Sequence, residues 1–215
     1  MGDGERVTIN GHSYDIVNRY CYLGDVLTTD GGVEGTVTSR IRCGWQAFRE
    51  LAPFLTSRAT PLRLKGKVFD ACVRKCMLYG SETWPMTLEN EKKLERADMR
   101  MVRWMYGVSL RNRKSSNELR KSMGLEEIGC IARRNRLRWY GHVLRQEQHQ
   151  PARGALMTEI SGRRPRGRPK KTWRQTVAAD LQQLGLRDDD AQDRVYWRSI
   201  IKGNRPTLQR GRNGR

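Results

Sequence analysis

The chain has 215 residues, and its 42 Lys and Arg against 23 Asp and Glu give a formal net charge of +19 at pH 7. This length admits one large domain or two small ones, and so positive a field predicts a polyanionic partner. No apolar run approaches the roughly 18 residues that would span a bilayer. The start, Met1–Arg6, lacks the pattern of a secretory signal. We therefore expect an intracellular protein, nuclear or cytoplasmic, with no membrane partner.

The N-terminal stretch predicts β structure. Val7–Ile9 and Ser13–Val17 alternate like strands around Asn10-Gly11, which suits a tight hairpin turn. A third strand is expected over Tyr20–Leu27. The polar, Gly-rich run Thr28–Gly32 then marks a turn, after which the apolar spacing changes to that of a helix.

Apolar residues at helical spacing predict a series of helices after this turn. The first buries Val37, Ile41, Trp45 and Phe48 and ends or kinks at Pro53. The second begins at Thr60-Pro61, runs to Gly80, and buries a stripe of Leu64, Val68, Cys72 and Cys76 or Tyr79. The third is capped by Thr87 and Gly107 and buries Leu94, Ala97, Met101 and Met105.

The C-terminal half predicts shorter helices around a basic linker. Ser115 caps one helix that Gly124 stops, and Ile128 to about Arg145 forms a longer one. Later helices carry Trp173, Val177, Leu181 and Leu184, then Trp197 and Ile201. The expected fold is mainly α, with a β-hairpin segment at 1–33, a helical thumb-like region at 34–110, a basic helical region at 111–150, a Pro/Gly/Arg linker at 151–171, a small helical module at 172–203 and a disordered basic tail at 204–215.

Residues that could carry chemistry do not form a recognisable site. The five cysteines lack Cys-x-x-Cys spacing, and Cys130, His142 and His149 match a zinc site poorly, so we expect free thiols, no metal and no cofactor. His142 has no paired nucleophile and is expected to be structural. Asp188–Asp190 precede a helical period and are assigned to capping. We expect no catalytic residue and no small-molecule substrate.

The segment Pro165–Pro169 matches the AT-hook pattern. Arg166 and Arg168 flank a glycine in a chain that the prolines keep extended, which suits entry into an A·T-rich minor groove. The neighbouring cations are expected to contact phosphates: Arg163, Arg164, Lys170 and Lys171. A basic linker that binds any nucleic acid through charge alone explains the segment equally well.

A second basic cluster lies on the helix that begins near Ile128. Arg134, Arg138 and Arg145 share one face, and no acidic residue lies between Cys130 and Gln146 to neutralise them. We expect this face to contact nucleic acid, the alternative being a solvated helix surface.

Five blocks of residues together resemble a known family, the C-terminal region of reverse transcriptases from non-LTR retrotransposons, particularly jockey-like and RTE-like elements. The resemblance extends from about Tyr14 to Ile201. In family order the blocks are Tyr20–Gly24 with Asp30–Gly32, Leu78–Trp84, Arg136–Arg145, Gly167–Trp173 and Asp193–Trp197.

The resemblance implies a role for most of the chain. Tyr22, Leu23 and Gly24 would position the primer end, and the helices from Val37 to Gly107 would form a thumb that clamps the template-primer duplex by shape and phosphate. The palm, whose paired aspartates bind the catalytic metals, would precede Tyr20, and the residues before Tyr20 are too few to form it.

The resemblance therefore implies a fragment of an RNA-directed DNA polymerase that binds RNA or DNA but does not polymerise by itself. Met1 would then begin a truncated reading frame or a gene model built on a degraded copy of the element. An intact reverse transcriptase supplied in trans would be a further partner. The alternatives are an AT-hook chromatin or regulatory protein derived from a transposable element, a translated relic of low stability, and a cryptic nuclease, for which no convincing carboxylate cluster exists.

Overall fold

The computed structural model describes residues 6–22, 25–29, 32–158 and 171–203. The chain divides into two compact units, the first formed by Met1–Gly80 and Leu88–Leu125, the second by Ser81–Thr87 and Glu126–Arg215. The expected mainly helical fold with short β structure at its start is confirmed. Within the described ranges, no helix is both long and apolar enough to cross a membrane.

The first unit begins with the hairpin that the sequence predicts. Strands β1 (Arg6–Ile9) and β2 (His12–Asp15) pair antiparallel, and Val7 faces Tyr14 across them. Asn10 and Gly11 have φ values of 51° and 80°, the left-handed backbone that a two-residue primed turn requires.

The prediction of a single third strand over Tyr20–Leu27 is wrong. Two strands, β3 (Arg19–Tyr22) and β4 (Asp25–Thr28), pair antiparallel as a second hairpin, with Tyr20 opposite Leu27. An unbroken run of strand-forming residues does not reveal a reversal inside it, because both arms of a hairpin have the same side-chain period.

Helix α1 (Glu34–Glu50) packs against β4 and is followed by the short α2 (Ala52–Leu55). The predicted face is buried at Val37 and Phe48. The Thr36 hydroxyl accepts a hydrogen bond from the Val26 backbone N–H at 3.0 Å and donates to the Val26 carbonyl at 3.3 Å. This side chain therefore fastens the second hairpin to α1.

The next helical stretch consists of α3 (Leu62–Val68), a π-helical segment (Phe69–Arg74) and α4 (Lys75–Met77). The predicted buried stripe is wrong here, since Leu64 is 45% exposed and Cys72 is exposed. The buried face lies one position later along the chain and comprises Lys65, Gly66, Phe69, Val73, Arg74 and Met77. Two of these residues are charged, so hydrophobicity alone selects the wrong face.

Lys65 and Arg74, the two buried cations of this helical stretch, both have partners in the first unit. Arg74 forms paired hydrogen bonds of 2.8 Å to the carboxylate of Asp98, and both side chains are buried. The Lys65 ammonium donates to the Met105 carbonyl at 3.1 Å, near the C-terminal end of helix α5 (Leu88–Tyr106), where a cation is favourable. Burial lowers the pKa of Lys65.

Two further helices complete the first unit. Helix α5 (Leu88–Tyr106) buries Leu94, Met101 and Met105 as predicted, and Gly107 follows with a φ of 72°. Helix α6 (Ser116–Met123) begins at the predicted cap, whose hydroxyl accepts from the Asn117 N–H, and ends at Gly124. Single 3-10 turns lie at Ser81–Thr83, in the second unit, and at Leu110–Asn112.

The second unit contains α7 (Ile128–Leu144), α8 (Pro151–Met157), α9 (Trp173–Leu184) and α10 (Arg194–Ile201). Helix α8 occupies the start of the stretch that the composition predicts to be an extended linker, so that prediction is wrong for these residues. The predicted inward positions Trp197 and Ile201 are buried. The tail at 204–215 lies outside the described residues.

The last predicted helix start is also corrected. Asp188–Ala191 forms a separate 3-10 turn, and the cap of α10 is Asp193, whose carboxylate accepts from the N–H groups of Val195 and Tyr196. The run of three aspartates is the more obvious candidate for a helix cap. A capping side chain, however, must accept hydrogen bonds from N–H groups in the first turn of its own helix, as Asp193 does.

Candidate nucleic-acid interface

Residues from four of the five sequence blocks contact one another in the core of the second unit. The Trp197 indole N–H donates to the Leu137 carbonyl at 3.0 Å, and the Trp173 indole N–H donates to the Glu82 carbonyl at 2.7 Å. The Trp173 ring also meets Tyr140 edge-on, with centroids 5.9 Å apart. These side chains from four blocks therefore pack together within the second unit.

Gly141 in the third block is explained by this packing. A Cβ atom at this position would lie 2.5 Å from Nε1 of Trp197. Only a residue without a side chain lets α7 approach the tryptophan so closely. The neighbouring His142 is exposed and lies beside Trp139, with ring centroids 5.5 Å apart, and its Nε2 is 3.2 Å from Gln146 Nε2.

The acidic run Asp188–Asp190 makes local structural contacts. Asp188 accepts a hydrogen bond from the Tyr140 hydroxyl at 2.8 Å, and Asp190 accepts from the Arg187 backbone N–H at 2.7 Å. Burial and the neighbouring Asp188 raise the pKa of Tyr140 well above its usual range. Across the described residues, no group of three or more His, Cys, Asp or Glu side chains is arranged to hold a metal ion.

The predicted cationic face of α7 is partly neutralised. Arg134 forms two hydrogen bonds to the Glu126 carboxylate, at 3.1 and 2.8 Å, and Arg145 donates to the Ala191 carbonyl at 2.6 Å. Burial lowers the pKa of Arg145, and the charges of Arg194 and Arg198 lower it further. Arg138 is exposed.

The expectation that these arginines have no acidic partner is wrong. Glu126 pairs with Arg134 from just before α7, and Asp180 of α9 pairs with the buried Arg136 at 2.7 Å. Both carboxylates lie outside the interval from Cys130 to Gln146, which contains no acidic residue. Asp180 is distant from Arg136 along the chain and is brought beside it by the fold. Of the three predicted contacts on this face, Arg138 has the best access to a phosphate.

All five cysteines are free thiols, as expected. Cys72 and Cys76 were expected to be buried together, but Cys72 is exposed and Cys76 is half-buried. This follows from the shift of the buried face to Phe69, Val73 and Met77. Burial raises the pKa of the Cys130 thiol, which favours its protonated form.

A groove along α5 in the first unit combines cations with exposed apolar side chains. We call it the α5 groove; its volume is about 1000 Å³. Helix α5, the segment 107–110 and helix α6 all contribute residues to its lining. The residues that define it are Arg96, Arg100, Arg103, Trp104, Val108 and Leu110.

An aromatic cluster lies at one side of the α5 groove. The Trp104 ring packs against Phe48 and Trp45, with centroid distances of 5.4 and 6.1 Å. The Arg100 guanidinium lies over the Trp45 ring at 5.7 Å. Trp104 nevertheless remains 52% exposed, and Leu110 is 77% exposed. Cations alternating with accessible aromatic rings are typical of surfaces that bind nucleic acid.

The remaining predicted contacts are residues 22–24 and the basic residues between 163 and 171. Tyr22 is 56% exposed on β3, on the same face of the second hairpin as Tyr20 and Leu27. Lys171 is exposed. The other predicted residues lie outside the described ranges: Leu23, Gly24, Arg163, Arg164, Arg166, Arg168 and Lys170.

Comparison with known proteins finds a relative that is derived from a transposon. The chain is similar to a transposon-derived protein of Caenorhabditis elegans. The two are 23% identical over 201 residues, which cover 90% of this chain and 70% of the relative. No protein-family model matches the chain, and no solved structure matches it. The similarity indicates derivation from a transposable element.

Sequence reasoning missed the α5 groove, although a signal for it exists. Arg96, Arg100 and Arg103 are spaced by four and three residues, which places them on one side of a helix, and Trp104 follows directly. These residues lie on the side of α5 opposite its buried stripe, so the spacing of core positions does not select them. The chain after Gly107, which completes the groove, is brought there only by the fold.

Proposed function

We propose that this chain is a C-terminal fragment of a non-LTR retrotransposon reverse transcriptase that binds RNA or DNA and does not polymerise by itself. The observation that carries the proposal is the set of five blocks in family order, four of which contact one another in the second unit. An accidental resemblance has no reason to unite distant blocks in one core. The transposon-derived relative from Caenorhabditis elegans supports the same origin.

Charge supports nucleic acid as the partner. A net charge of +19 favours a polyanion, and the α5 groove and Arg138 offer cations on the surface. Such contacts act mainly on phosphates, so affinity should fall steeply with salt concentration. We expect no small-molecule substrate and no cofactor.

We propose an intact reverse transcriptase as the protein partner of this chain. One face of the first hairpin exposes Val7, Ile9 and Tyr14, which the strand register places together. An isolated two-stranded hairpin is marginally stable in water, and exposed apolar faces of this kind commonly mark an interface. In a complete enzyme, the palm would supply the covering surface.

The test is a salt titration of the full chain against an A·T-rich duplex, a G·C-rich duplex and an RNA–DNA hybrid of equal length. Preference for the hybrid, unchanged by Arg166→Ala plus Arg168→Ala, supports the reverse-transcriptase proposal. Preference for the A·T-rich duplex, abolished by those substitutions, favours the AT-hook alternative instead. Failure to bind any ligand at low salt refutes both and leaves the relic.

A primer-extension assay tests the enzymatic part of the proposal. The full chain with a primed RNA template, deoxynucleotides and Mg²⁺ is expected to add no nucleotide, because the aspartates that hold two metal ions belong to the palm. Extension above that of a mock purification would overturn this part while leaving the binding proposal intact.

A further inference from the structure

We propose that the α5 groove binds single-stranded nucleic acid, with an unpaired base stacked on Trp104 and the adjoining phosphates bound by Arg96, Arg100 and Arg103. The inference rests on the proposed nucleic-acid-binding function and deepens it by naming the ligand's strandedness and its contact residues. Four kinds of observation carry it: the exposure of Trp104, its packing, the arginine spacing and the partner of the groove's acidic residue.

Trp104 is held ready to receive a base. One part of its indole is fixed against Phe48 and Trp45, while half of the side chain remains accessible. A ring that is already fixed loses little conformational freedom when a base stacks on it. Base stacking on aromatic rings tolerates any sequence because every base has a π face. Across the groove, Val108 and the highly exposed Leu110 add apolar contact area.

The arginines are spaced to follow a strand. With a helical rise of about 1.5 Å per residue, Arg96 and Arg103 lie roughly 10 Å apart along α5, the length of about three stacked nucleotides. Each cation has a local contact: Arg96 Nε donates to the Lys92 carbonyl at 3.1 Å, and Arg103 donates to the Ser116 hydroxyl at 3.1 Å. A guanidinium has five N–H donors, so these contacts orient the side chains and leave donors for phosphate.

Glu95, an acidic residue that lines the groove, is not expected to repel an anion. Glu95 lies 4.0 Å from the Arg120 guanidinium, so its charge is compensated within the first unit. The chain after the groove adds more positive charge through the exposed Arg111, Arg113 and Lys114, the last of which lies over the Tyr106 ring at 4.8 Å. The field around Trp104 therefore favours a polyanion.

Stacking of a base on the face of the Trp104 ring requires a single-stranded ligand. In a duplex both faces of each internal base are already stacked on neighbours, so only the phosphates and groove edges can reach the protein. An unpaired base can leave its neighbours and lie on the indole. We therefore expect Trp104 to contribute to binding of a single strand and to contribute little to binding of a duplex, whereas the arginines contribute to both.

The test compares the affinity of the full chain for labelled oligouridylate, oligothymidylate and a blunt duplex of equal length, at one salt concentration. Trp104→Leu keeps apolar packing against Phe48 but lacks a broad ring, and Trp104→Phe keeps an aromatic face. We expect Trp104→Leu to weaken single-strand binding by about fivefold or more and duplex binding by less than about twofold. Trp104→Phe should retain most of the single-strand affinity.

The charge contacts have a matched control. Arg100→Ala should weaken binding to the single strands and to the duplex, and it should reduce the slope of log affinity against log salt by about one. Arg58→Ala removes the same charge from an exposed position of the first unit away from the groove, and it should change affinity by less than about twofold. Circular dichroism checks that each variant keeps the helical content of the unmodified chain.

The outcomes separate this inference from the proposed function. If the unmodified chain binds single strands and Trp104→Leu leaves that affinity unchanged, the stacking inference is wrong and nucleic-acid binding stands. Equal losses on single strand and duplex also overturn it, since they indicate a structural role for Trp104. If the unmodified chain binds none of the ligands, the proposed function itself fails.

Discussion

Replacing Arg74 with alanine should strongly destabilise the first unit. The Arg74 side chain is 1% exposed, and its Nε and Nη2 atoms each donate to Asp98 at 2.8 Å. Its guanidinium also lies over the buried Phe69 ring at 5.4 Å, and its Nη1 is 3.4 Å from Asp70. The substitution leaves the fully buried Asp98 carboxylate without its principal partner.

The magnitude follows from the burial of both groups. Removing one member of a buried ion pair costs about 3–5 kcal/mol, because the remaining charge stays desolvated without compensation. A typical domain has a free energy of unfolding of about 5–15 kcal/mol, so the variant should be marginally stable. Replacing both members with apolar residues of similar volume avoids the stranded charge, and Arg74→Met with Asp98→Leu should recover most of the loss.

The loss should depend on pH in a defined direction. Burial raises the pKa of Asp98, and the hydrogen bonds and charge of Arg74 oppose that rise. Without Arg74 the pKa rises further, so the folded variant holds a proton that the unfolded chain releases above a pH of about 3.9. Between that pH and the folded pKa, the free energy of unfolding falls by about 1.4 kcal/mol per pH unit as pH increases.

Urea unfolding of the full chain, followed by circular dichroism, measures these effects. The deficit of Arg74→Ala relative to the unmodified chain should be larger at about pH 8 than at about pH 5. Arg58→Ala, at an exposed site, should stay within about 0.5 kcal/mol of the unmodified chain. A deficit below about 1 kcal/mol, or a double variant no more stable than Arg74→Ala, would refute the assignment of a stabilising buried pair.

Two further substitutions test the second unit by thermal unfolding. Gly141→Ala should lower the free energy of unfolding by about 1–3 kcal/mol, because its Cβ would collide with the Trp197 indole. Gly154→Ala in α8 has no atom within 4 Å of the new Cβ and should be neutral or slightly stabilising, and equal effects of the two changes would contradict the close approach at Gly141. Asp193→Ala should cost about 1 kcal/mol by removing the α10 cap, and Asp189→Ala, at an exposed side chain, should cost less than half of that. If Asp189→Ala is the more harmful change, the cap is misassigned.

Local signals in the sequence were sufficient for several elements. Asn10-Gly11, the Ser115 cap and Gly124 each specify a backbone conformation through their own side chains, or through the lack of one, and the structure confirms all three. The buried positions Leu94, Met101 and Met105 of α5 follow from helical spacing alone, although the same face also buries Asp98. Where local chemistry is decisive, no information about distant residues is needed.

The wrong predictions share a different cause. Leu64 and Cys72 fit a helical stripe as well as Phe69 and Val73 do, and the choice between the two faces depends on Lys65 and Arg74. Burying those cations is favourable only because the Met105 carbonyl and Asp98 are placed beside them by α5. A hydrophobicity pattern assigns charged residues to the surface and therefore selects the other face.

The candidate interface shows the same division. Composition by itself determined that the chain is basic, and the order of its blocks is the basis of the proposed origin. The tertiary structure decided which cations remain accessible, since Glu126 neutralises Arg134 and the Ala191 carbonyl binds Arg145. It also created the α5 groove by placing the chain after Gly107 beside α5. Charge is a property of residues, whereas accessibility depends on neighbours that only folding brings together.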